Sequence, residues 1–411
     1  MRIDIIETDL FIKYLSDALK MDKLCSVDGI TTDSRLVKKN DLFLAIKGEH
    51  FDGSDFIDQA LSNGASYVIT QSAHKNKNVF TVENLVEFIG NICSIWMNNF
   101  QGKTIGITGS NGKTTTKDLI SHVLAKCGNK VSKTKGNFNT SIGVPLTIFS
   151  FSNDPSQIYV LELGANQVGD IDYLSSIVKP DIGIVTNISD AHLEGFGSIG
   201  NIRKEKKSIF NHSKKHYYGK EIDISINLSD HPFKNNKVFL KNASLAYEVC
   251  KDFMSNNDKE AFSVMIADFT LPKGRGRVYS LLADTIIIDD TYNANPESVK
   301  AAIDNLAQYN SKRKIFIFAD MKELGSDEIR FHREVGDYCS EKIDIIMCYG
   351  DLAKNVINDS NKIPIQLHFD TKASLSEALS NIMQENDAIL LKGSRSMELD
   401  LVIKDIINYV K

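Results

Sequence analysis

Residues 107–120 read ITGSNGKTTTKDLI. The common phosphate-binding loop, G-x-x-x-x-G-K-[ST], carries a glycine five positions before the glycine of its Gly-Lys pair. Here the pair is Gly112-Lys113, and the earlier position holds Ile107. The surroundings are still those of a phosphate loop. KTIGIT (103–108) is a short run with β-branched residues, and the segment after Lys113 has a helical pattern closed near Gly128. Strand, glycine loop and helix in that order let backbone N–H groups approach an anion at the positive end of the helix. Gly109, Ser110, Asn111 and Gly112 would form the cradle, and Lys113 would hold the β and γ phosphates. Thr114 or Thr115 would offer a hydroxyl to magnesium. A glycine-rich turn capped by threonines would account for the residue types, but not for their place between that strand and that helix.

The same grammar extends outward in both directions. A chain of 411 residues exceeds one ordinary core and predicts two or three domains. Residues 1–82 hold the strand-like runs DLFLAI (41–46) and SYVIT (66–70) around a helical FIDQALSNGA, a small α/β unit. Residues 83–272 alternate strand, loop and helix through KTIGIT, TTTKDLISHVLAKCG, QIYVLELG and DIGIVTNIS, which predicts a mostly parallel sheet with helices on both faces. Residues 273–411 repeat the alternation in TIIIDD, SVKAAIDNLAQY, KIFIFAD, DIIMCYG, AILLKGS and a closing helix, a second doubly wound, Rossmann-like domain. KEIDISINLSDHPFKNNK (220–237) is polar and weakly patterned, as a loop or linker would be. The whole is an α/β chain of three domains.

Composition narrows the class of function. A net charge of -5 gives no general attraction to nucleic acid or to anionic membrane. No apolar run approaches the ~20 residues of a membrane span. The opening MRIDIIETDLFIKYL has acids where a signal peptide carries bases, so a cytoplasmic location is expected; a monomer is expected as well, though no residue pattern fixes the oligomeric state. The six cysteines, Cys25, Cys93, Cys127, Cys250, Cys339 and Cys348, lie far apart without a C-x-x-C pair, against both a zinc site and a disulfide framework.

The loop spelling T-G-S-N-G-K-T-T resembles that of the ATP-dependent Mur ligases and their folylpolyglutamate synthetase relatives. TTDSR (31–35), DLFLAIKGEHFDGSDFI (41–57), GNFNTSIGVPLTIF (136–149), ELGANQVGDI (162–171), TNISDAHLEGFGS (186–198), DDTYNANPESVKAAI (289–303), ADMKELG (319–325) and LLKGSRSMELD (390–400) are similar to the MurF type of that family. The resemblance spans nearly the whole chain. It implies one domain for a UDP-sugar, one for ATP and one for the incoming amine together with part of ATP. It also implies the chemistry: ATP phosphorylates the terminal carboxylate of UDP-N-acetylmuramoyl tripeptide, and the amine of D-Ala-D-Ala displaces phosphate from the acyl phosphate, in peptidoglycan precursor synthesis. The protein's share of such a reaction is positioning and charge neutralisation.

Site residues follow from the same motifs. Glu162 ends the run QIYVLE, where active groups of open α/β sheets gather, and the resemblance makes it a magnesium ligand with Thr114 and His192. Lys206 lies in a basic run (Arg203, Lys204, Lys206, Lys207, Lys214, Lys215, Lys220) whose one acid is Glu205. Such a run ordinarily forms a solvated face. KKSIF, however, matches the place of an N-carboxylated lysine in several Mur ligases. An ammonium ~5 Å from another positive charge is repelled by about 3 kcal/mol at an effective dielectric of ~20, and conversion to a carbamate removes that repulsion. The resemblance assigns Asn295 of YNANP to adenine and Arg277 of KGRGR to the ATP phosphates, with Lys273 and Arg275 as neighbouring cations. It gives Ser34, Arg35, Lys47, Gly48, Asp52 and Gly53 to the uridine diphosphate region, and Asn137, Asn139 and Thr140 to the muramoyl substrate.

Departures from the family pattern are Thr140 in place of a second asparagine, Ser54 and Gln167 in place of histidines, and a short segment from about 218 to 245. Two other readings compete: a sister ligase adding a single amino acid, and a nucleotide-binding regulatory protein without catalysis. YNANPESV and ADMKELG speak against the first. Lys113, Glu162 and His192 together speak against the second.

Overall fold

The computed structural model describes residues 1–22, 24–48, 51–189, 193–228, 231, 233–357 and 362–410. Among the described residues three sheets form, and all are mostly parallel. The first runs β1 (Arg2–Asp4), β2 (Gly29–Thr31), β3 (Asp41–Ala45), β4 (Ala65–Thr70) and β5 (Val79–Thr81) in that order. Only the β1–β2 pairing in it is antiparallel.

The second sheet contains β6 (Lys103–Thr108), β7 (Lys130–Lys133), β8 (Gln157–Glu162), β9 (Ile182–Val185) and β10 (Lys215–Tyr218), in the order β10-β9-β6-β8-β7. Central β6 is parallel to both neighbours, with Ile107 opposite Glu162 and Thr108 opposite Val185. β6, β8 and β9 therefore end at one sheet edge, the carboxyl edge where ligands of such sheets bind.

The third sheet contains β11 (Arg277–Ser280), β12 (Ile286–Asp290), β13 (Arg313–Ala319), β14 (Ile345–Tyr349), β15 (Ile365–Phe369) and β16 (Asp387–Lys392), ordered β11-β12-β16-β13-β14-β15. β11 is its one antiparallel strand among the described residues. In β13, Phe316 and Phe318 join the apolar core that contains Val299, Ile303 and Val335, while Ile315 and Ile317 join the core that contains Leu375, Leu379 and Val402. Period-two side chains that are apolar on both faces are the signature of a parallel strand covered twice.

By its contacts the chain divides into two compact units. One consists of Met1–Thr108, Val123–Val185 and Glu205–Tyr217, and the other of Gly109–His122, Thr186–Lys204 and Tyr218–Lys411. Within the first, the helix Leu85–Asn99 starts at Asn84, whose side chain accepts from the Glu87 N–H at 3.2 Å. Its buried Leu85, Ile89, Ile92, Cys93 and Trp96 recur at helical spacing. Trp96 meets the ring of Phe149 edge-on at 5.5 Å, and Phe11 meets Phe149 at 4.9 Å. Asp41, fully buried, takes both a 2.7 Å and a 2.9 Å bond from the Arg2 guanidinium, tying β1 to β3.

The α/β class and the mostly parallel sheets read from the sequence hold. β7 and β15 were not anticipated, because each mixes polar and apolar residues with no clean alternation. Between the helical turn Gly219–Glu221 and the helix Lys237–Cys250, the described part of the linker lacks a strand or helix.

Candidate nucleotide and ligase site

The phosphate loop belongs to the second unit, and its glycines are required by geometry. Gly109 has φ +142° and Gly112 has φ +81°. A Cβ on Gly109 would collide with Thr186 Oγ1, and one on Gly112 would lie 2.7 Å from Asn242 Oδ1. The loop is laced to the segment after β9. Ser110 N–H donates to Asn187 O at 2.9 Å, Asn111 N–H to Asn187 Oδ1 at 2.6 Å, and Thr186 Oγ1 to Asn111 O at 2.6 Å. Ser189 N–H donates to Ser110 Oγ at 3.0 Å, and that hydroxyl donates to Ser189 O at 3.2 Å. Lys113, the first residue of the helix Lys113–Lys126, folds back so that its Nζ donates to Gly109 O at 2.7 Å and Ser110 O at 3.2 Å. A backbone concavity with a lysine over it and a helix behind it is an anion site.

Residues from beyond 270 complete this loop. Asn295 is the N-cap of the helix Pro296–Ala307, in a capping box with Ser298, and Pro296 sets the first turn. Its Nδ2 donates to Asn111 Oδ1 at 2.8 Å, and Asn111 Nδ2 returns a longer bond to Asn295 Oδ1 at 3.4 Å. Of the two arginines in KGRGR, Arg275 is the one at the loop: its Nη2 donates to Thr114 Oγ1 at 3.2 Å, and its guanidinium lies 3.7 Å from the centre of the Tyr292 ring. Arg277 lies on β11 beside Tyr279. The choice is made by buried Asp289, which accepts from Gly274 N–H at 2.9 Å and from the Thr291 hydroxyl at 2.7 Å. Gly274 and Gly276 turn at φ +75° and +84°, and the turn presents Arg275. Close by in the sequence, Asp290 takes a 2.5 Å bond from buried Lys392, which also donates to Asn293 O at 3.0 Å.

In the first unit, Glu162 is 2% exposed. Its N–H donates to Thr134 Oγ1 at 2.9 Å, and its Oε1 accepts from Asn139 Nδ2 at 3.0 Å. Gly164 permits this approach, since a Cβ there would lie 2.8 Å from Asn139 Cγ. Thus Asn139 of the GNFNTS loop and Glu162 of ELGAN meet. Asn137 O accepts from the Asn139 N–H at 2.8 Å, and Thr140 Oγ1 accepts from Gly143 N–H at 3.2 Å.

Lys206 is also 2% exposed, although Arg203 and Lys204 of the same helix are in solvent. Neighbouring Glu205 is buried, accepting from Gly169 N–H at 2.7 Å and Ile171 N–H at 2.6 Å at the start of the helix Asp170–Val178. His192 falls outside the described residues.

The residues read for a uridine diphosphate lie in the turns that follow β2 and β3 of the first sheet. Ser34 Oγ donates to Gln59 Oε1 at 2.7 Å. Arg35 gives two bonds to Asp33, at 2.8 Å and 2.7 Å, and its guanidinium holds the Asp33 carboxyl down to about 2. Lys47 and Asp52 face each other at 3.8 Å across an isolated bridge, and the Ser54 N–H bond keeps the Asp52 carboxyl below its ordinary range. Gly48 N–H donates to Phe51 O at 2.9 Å, closing this turn. Gly53 cannot carry a side chain, because its Cβ would lie 2.6 Å from Ile46 O.

Asp289 was not among the residues read from the sequence, and of the KGRGR cations Arg277 was read toward the ATP phosphates with Lys273 and Arg275 as neighbours. An acid closing the apolar run TIIID (285–289), shortly after glycine-flanked arginines, was the available signal. Among the described residues, no helix is long and apolar enough to cross a membrane.

Three family descriptions match the chain: Mur ligase family, catalytic domain, over residues 26–94; Mur ligase middle domain, over 107–274; and Mur ligase, glutamate ligase domain, over 274–395. The chain is 30% identical to the UDP-N-acetylmuramoyl-tripeptide–D-alanyl-D-alanine ligase of Bacillus subtilis, covering 93% of each chain. It is 31% identical to that of Haemophilus influenzae, covering 95% of this chain and 96% of the relative. The solved MurF ligase of Thermotoga maritima in complex with ADP superposes with a TM-score of 0.81 at 28% identity, over 93% of this chain and 97% of that one. MurF from Acinetobacter baumannii gives 0.83 at 27% identity, over 97% and 98%. Fold, phosphate loop and matches together define a nucleotide-binding ligase. The chain belongs to the Mur ligase family and, within it, to the MurF type.

Proposed function

We propose that this chain joins D-alanyl-D-alanine to UDP-N-acetylmuramoyl tripeptide, using ATP and releasing ADP and phosphate, as a cytoplasmic, monomeric enzyme of peptidoglycan precursor synthesis. The observation that carries the reading is the phosphate loop, held by Asn295 and Arg275, in a chain 30–31% identical over more than nine-tenths of its length to two ligases of that name. Residues 1–82 take the UDP-sugar, 83–272 the ATP, and 273–411 the incoming amine with part of the ATP.

In the first step an oxygen of the tripeptide's terminal carboxylate attacks the γ-phosphorus, and ADP leaves. The dipeptide amine then attacks the acyl carbon, loses a proton, and phosphate departs with the carboxylate oxygen. Lys113, Arg275 and the loop N–H groups between Gly109 and Thr115 hold the charge that moves during transfer. Asn295 takes the adenine, and Arg277, on its strand beside Arg275, adds positive charge on the side of the ATP phosphates. Ser34, Arg35, Lys47, Gly48, Asp52 and Gly53 take the uridine diphosphate; Asn137, Asn139 and Thr140 take the muramoyl peptide.

The donors present suit magnesium, which binds through one or two carboxylates and keeps waters and phosphate oxygens as its other ligands. Thr114, Glu162 and His192 would hold it, and the ion when bound neutralises phosphate charge. Lys206 is buried, and its amine, on adding carbon dioxide and losing one proton, would become a carbamate. Phosphate release in the presence of UDP-muramoyl tripeptide and ATP tests the assignment: D-Ala-D-Ala should support it and single amino acids should not. Release with a lone amino acid and none with the dipeptide would sink it.

A further inference from the structure

Glu297 carries no role in the reading above, and it occupies an unusual place. It is exposed, at the second position of the helix Pro296–Ala307, where an acid is favourable simply through the helix dipole. Yet one oxygen, Oε2, accepts from two side chains of the nucleotide-loop assembly: Asn111 Nδ2 at 3.1 Å and Asn187 Nδ2 at 3.1 Å.

The consequence lies in amide orientation. An ionised carboxylate can only accept, so both asparagines must turn their NH2 groups toward it. Asn187 then has its Oδ1 on the backbone N–H of Asn111 at 2.6 Å, and Asn111 has its Oδ1 on Asn295 Nδ2 at 2.8 Å. If either amide flipped, a donor would face a donor. We infer that Glu297 is a positioning residue for the nucleotide loop: by accepting from Asn111 and Asn187 it fixes both amides, and with them the loop backbone that receives the nucleotide phosphates. The inference rests on the proposed reading of the loop as the ATP site.

Calorimetric ADP binding to the full chain, without acceptor substrates, tests it, with thermal melting of each variant alongside. Glu297→Ala should weaken ADP about five- to tenfold, the loss of one or two partly exposed charge-assisted bonds. It should raise KM for ATP by the same factor and leave kcat within about twofold. Glu297→Gln keeps an oxygen at the same reach and should bind ADP within about twofold of the unaltered chain. Glu297→Asp keeps the helix-end charge but is one methylene short of both amides, and should behave like Glu297→Ala. Wild-type affinity in both Glu297→Ala and Glu297→Asp would overturn the inference. So would the reverse order, with Asp retained and Gln weakened, because that is the pattern of a helix-end charge alone. Lys113→Ala separates the levels: if it abolishes ADP binding while the Glu297 variants do not weaken it, only this inference fails. If Lys113→Ala binds ADP normally, the loop reading fails and takes the inference with it.

Discussion

Replacing Gly109 with alanine should disable nucleotide binding while leaving the chain folded. The backbone there stands at φ +142°, and the new Cβ would collide with Thr186 Oγ1. That hydroxyl donates to Asn111 O at 2.6 Å, so moving it away also cuts a tie that holds the loop. Holding an alanine in such a conformation costs about 1–3 kcal/mol, and the lost hydrogen bond adds about 0.5–1.5 kcal/mol. The sum, roughly 2–4 kcal/mol, falls on the loop rather than on either core. At about 1.4 kcal/mol per decade, ADP affinity should drop roughly 30- to 1,000-fold. Thr186→Ala loses only the hydrogen bond and should weaken ADP roughly two- to tenfold. Titration calorimetry with ADP, and a melt without nucleotide to confirm folding, provide the readout. A folded Gly109→Ala protein that binds ADP within threefold of the original would refute the argument, because neither the conformation nor the collision would then matter.

Asp289→Ala strands the Gly274 N–H and the Thr291 hydroxyl, both now bonded to a buried carboxylate. A loss of about 2–4 kcal/mol in urea unfolding, with a raised KM for ATP as Arg275 loses its mount, is expected; an unchanged KM would detach Arg275 from the nucleotide. Cysteine reactivity should divide sharply. Exposed Cys25 should react with a thiol reagent at pH 8 in the native protein, while Cys339, pushed up to about 12 by burial, reacts only on unfolding. Because the Cys339 proton is held more tightly in the folded state, its stabilisation is complete below the unfolded thiol's ~8.5 and is lost as the pH rises toward 12. Unfolding midpoints that stay flat or rise across that window would contradict the burial. Lys206→Ala should lose activity by a hundredfold or more, and bicarbonate should restore a carbon-dioxide-depleted native enzyme but not the variant; full activity in Lys206→Ala would dismiss the carbamate.

What the sequence made legible was whatever local pattern alone determines. KTIGIT followed by two glycines and a lysine fixes strand, loop and helix, and apolar runs such as KIFIFA can only be strands covered on both faces. At Asn295 the structure shows a helix N-cap, the structural use of an Asn-Pro pair before a helical pattern, beside the adenine role that the motif implies. Illegible features depended on partners distant in the chain. Nothing in K-G-R-G-R distinguishes Arg275 from Arg277; Asp289 does so from the far side of a strand pair. Edge strands such as Lys130–Lys133 have one paired side and a mixed polarity that no periodicity captures. The basic run around Lys206 reads as a solvated face, and its burial arises where Glu205 ties that helix to Gly169 and Ile171. Glu297 looks like an ordinary first-turn acid until the two asparagine amides are seen to converge on it.

In the proposed reaction one carboxylate oxygen of the tripeptide leaves with phosphate while the dipeptide nitrogen takes its place. Oxygen-18 in the terminal carboxylate of UDP-N-acetylmuramoyl tripeptide, with ATP, magnesium and D-Ala-D-Ala, follows that oxygen directly by mass spectrometry. One labelled oxygen in the released phosphate, one retained in the new amide of the pentapeptide, and ADP as the nucleotide product are expected. Label carried into AMP, or phosphate release with the label left wholly in unextended tripeptide, would contradict the proposed reaction.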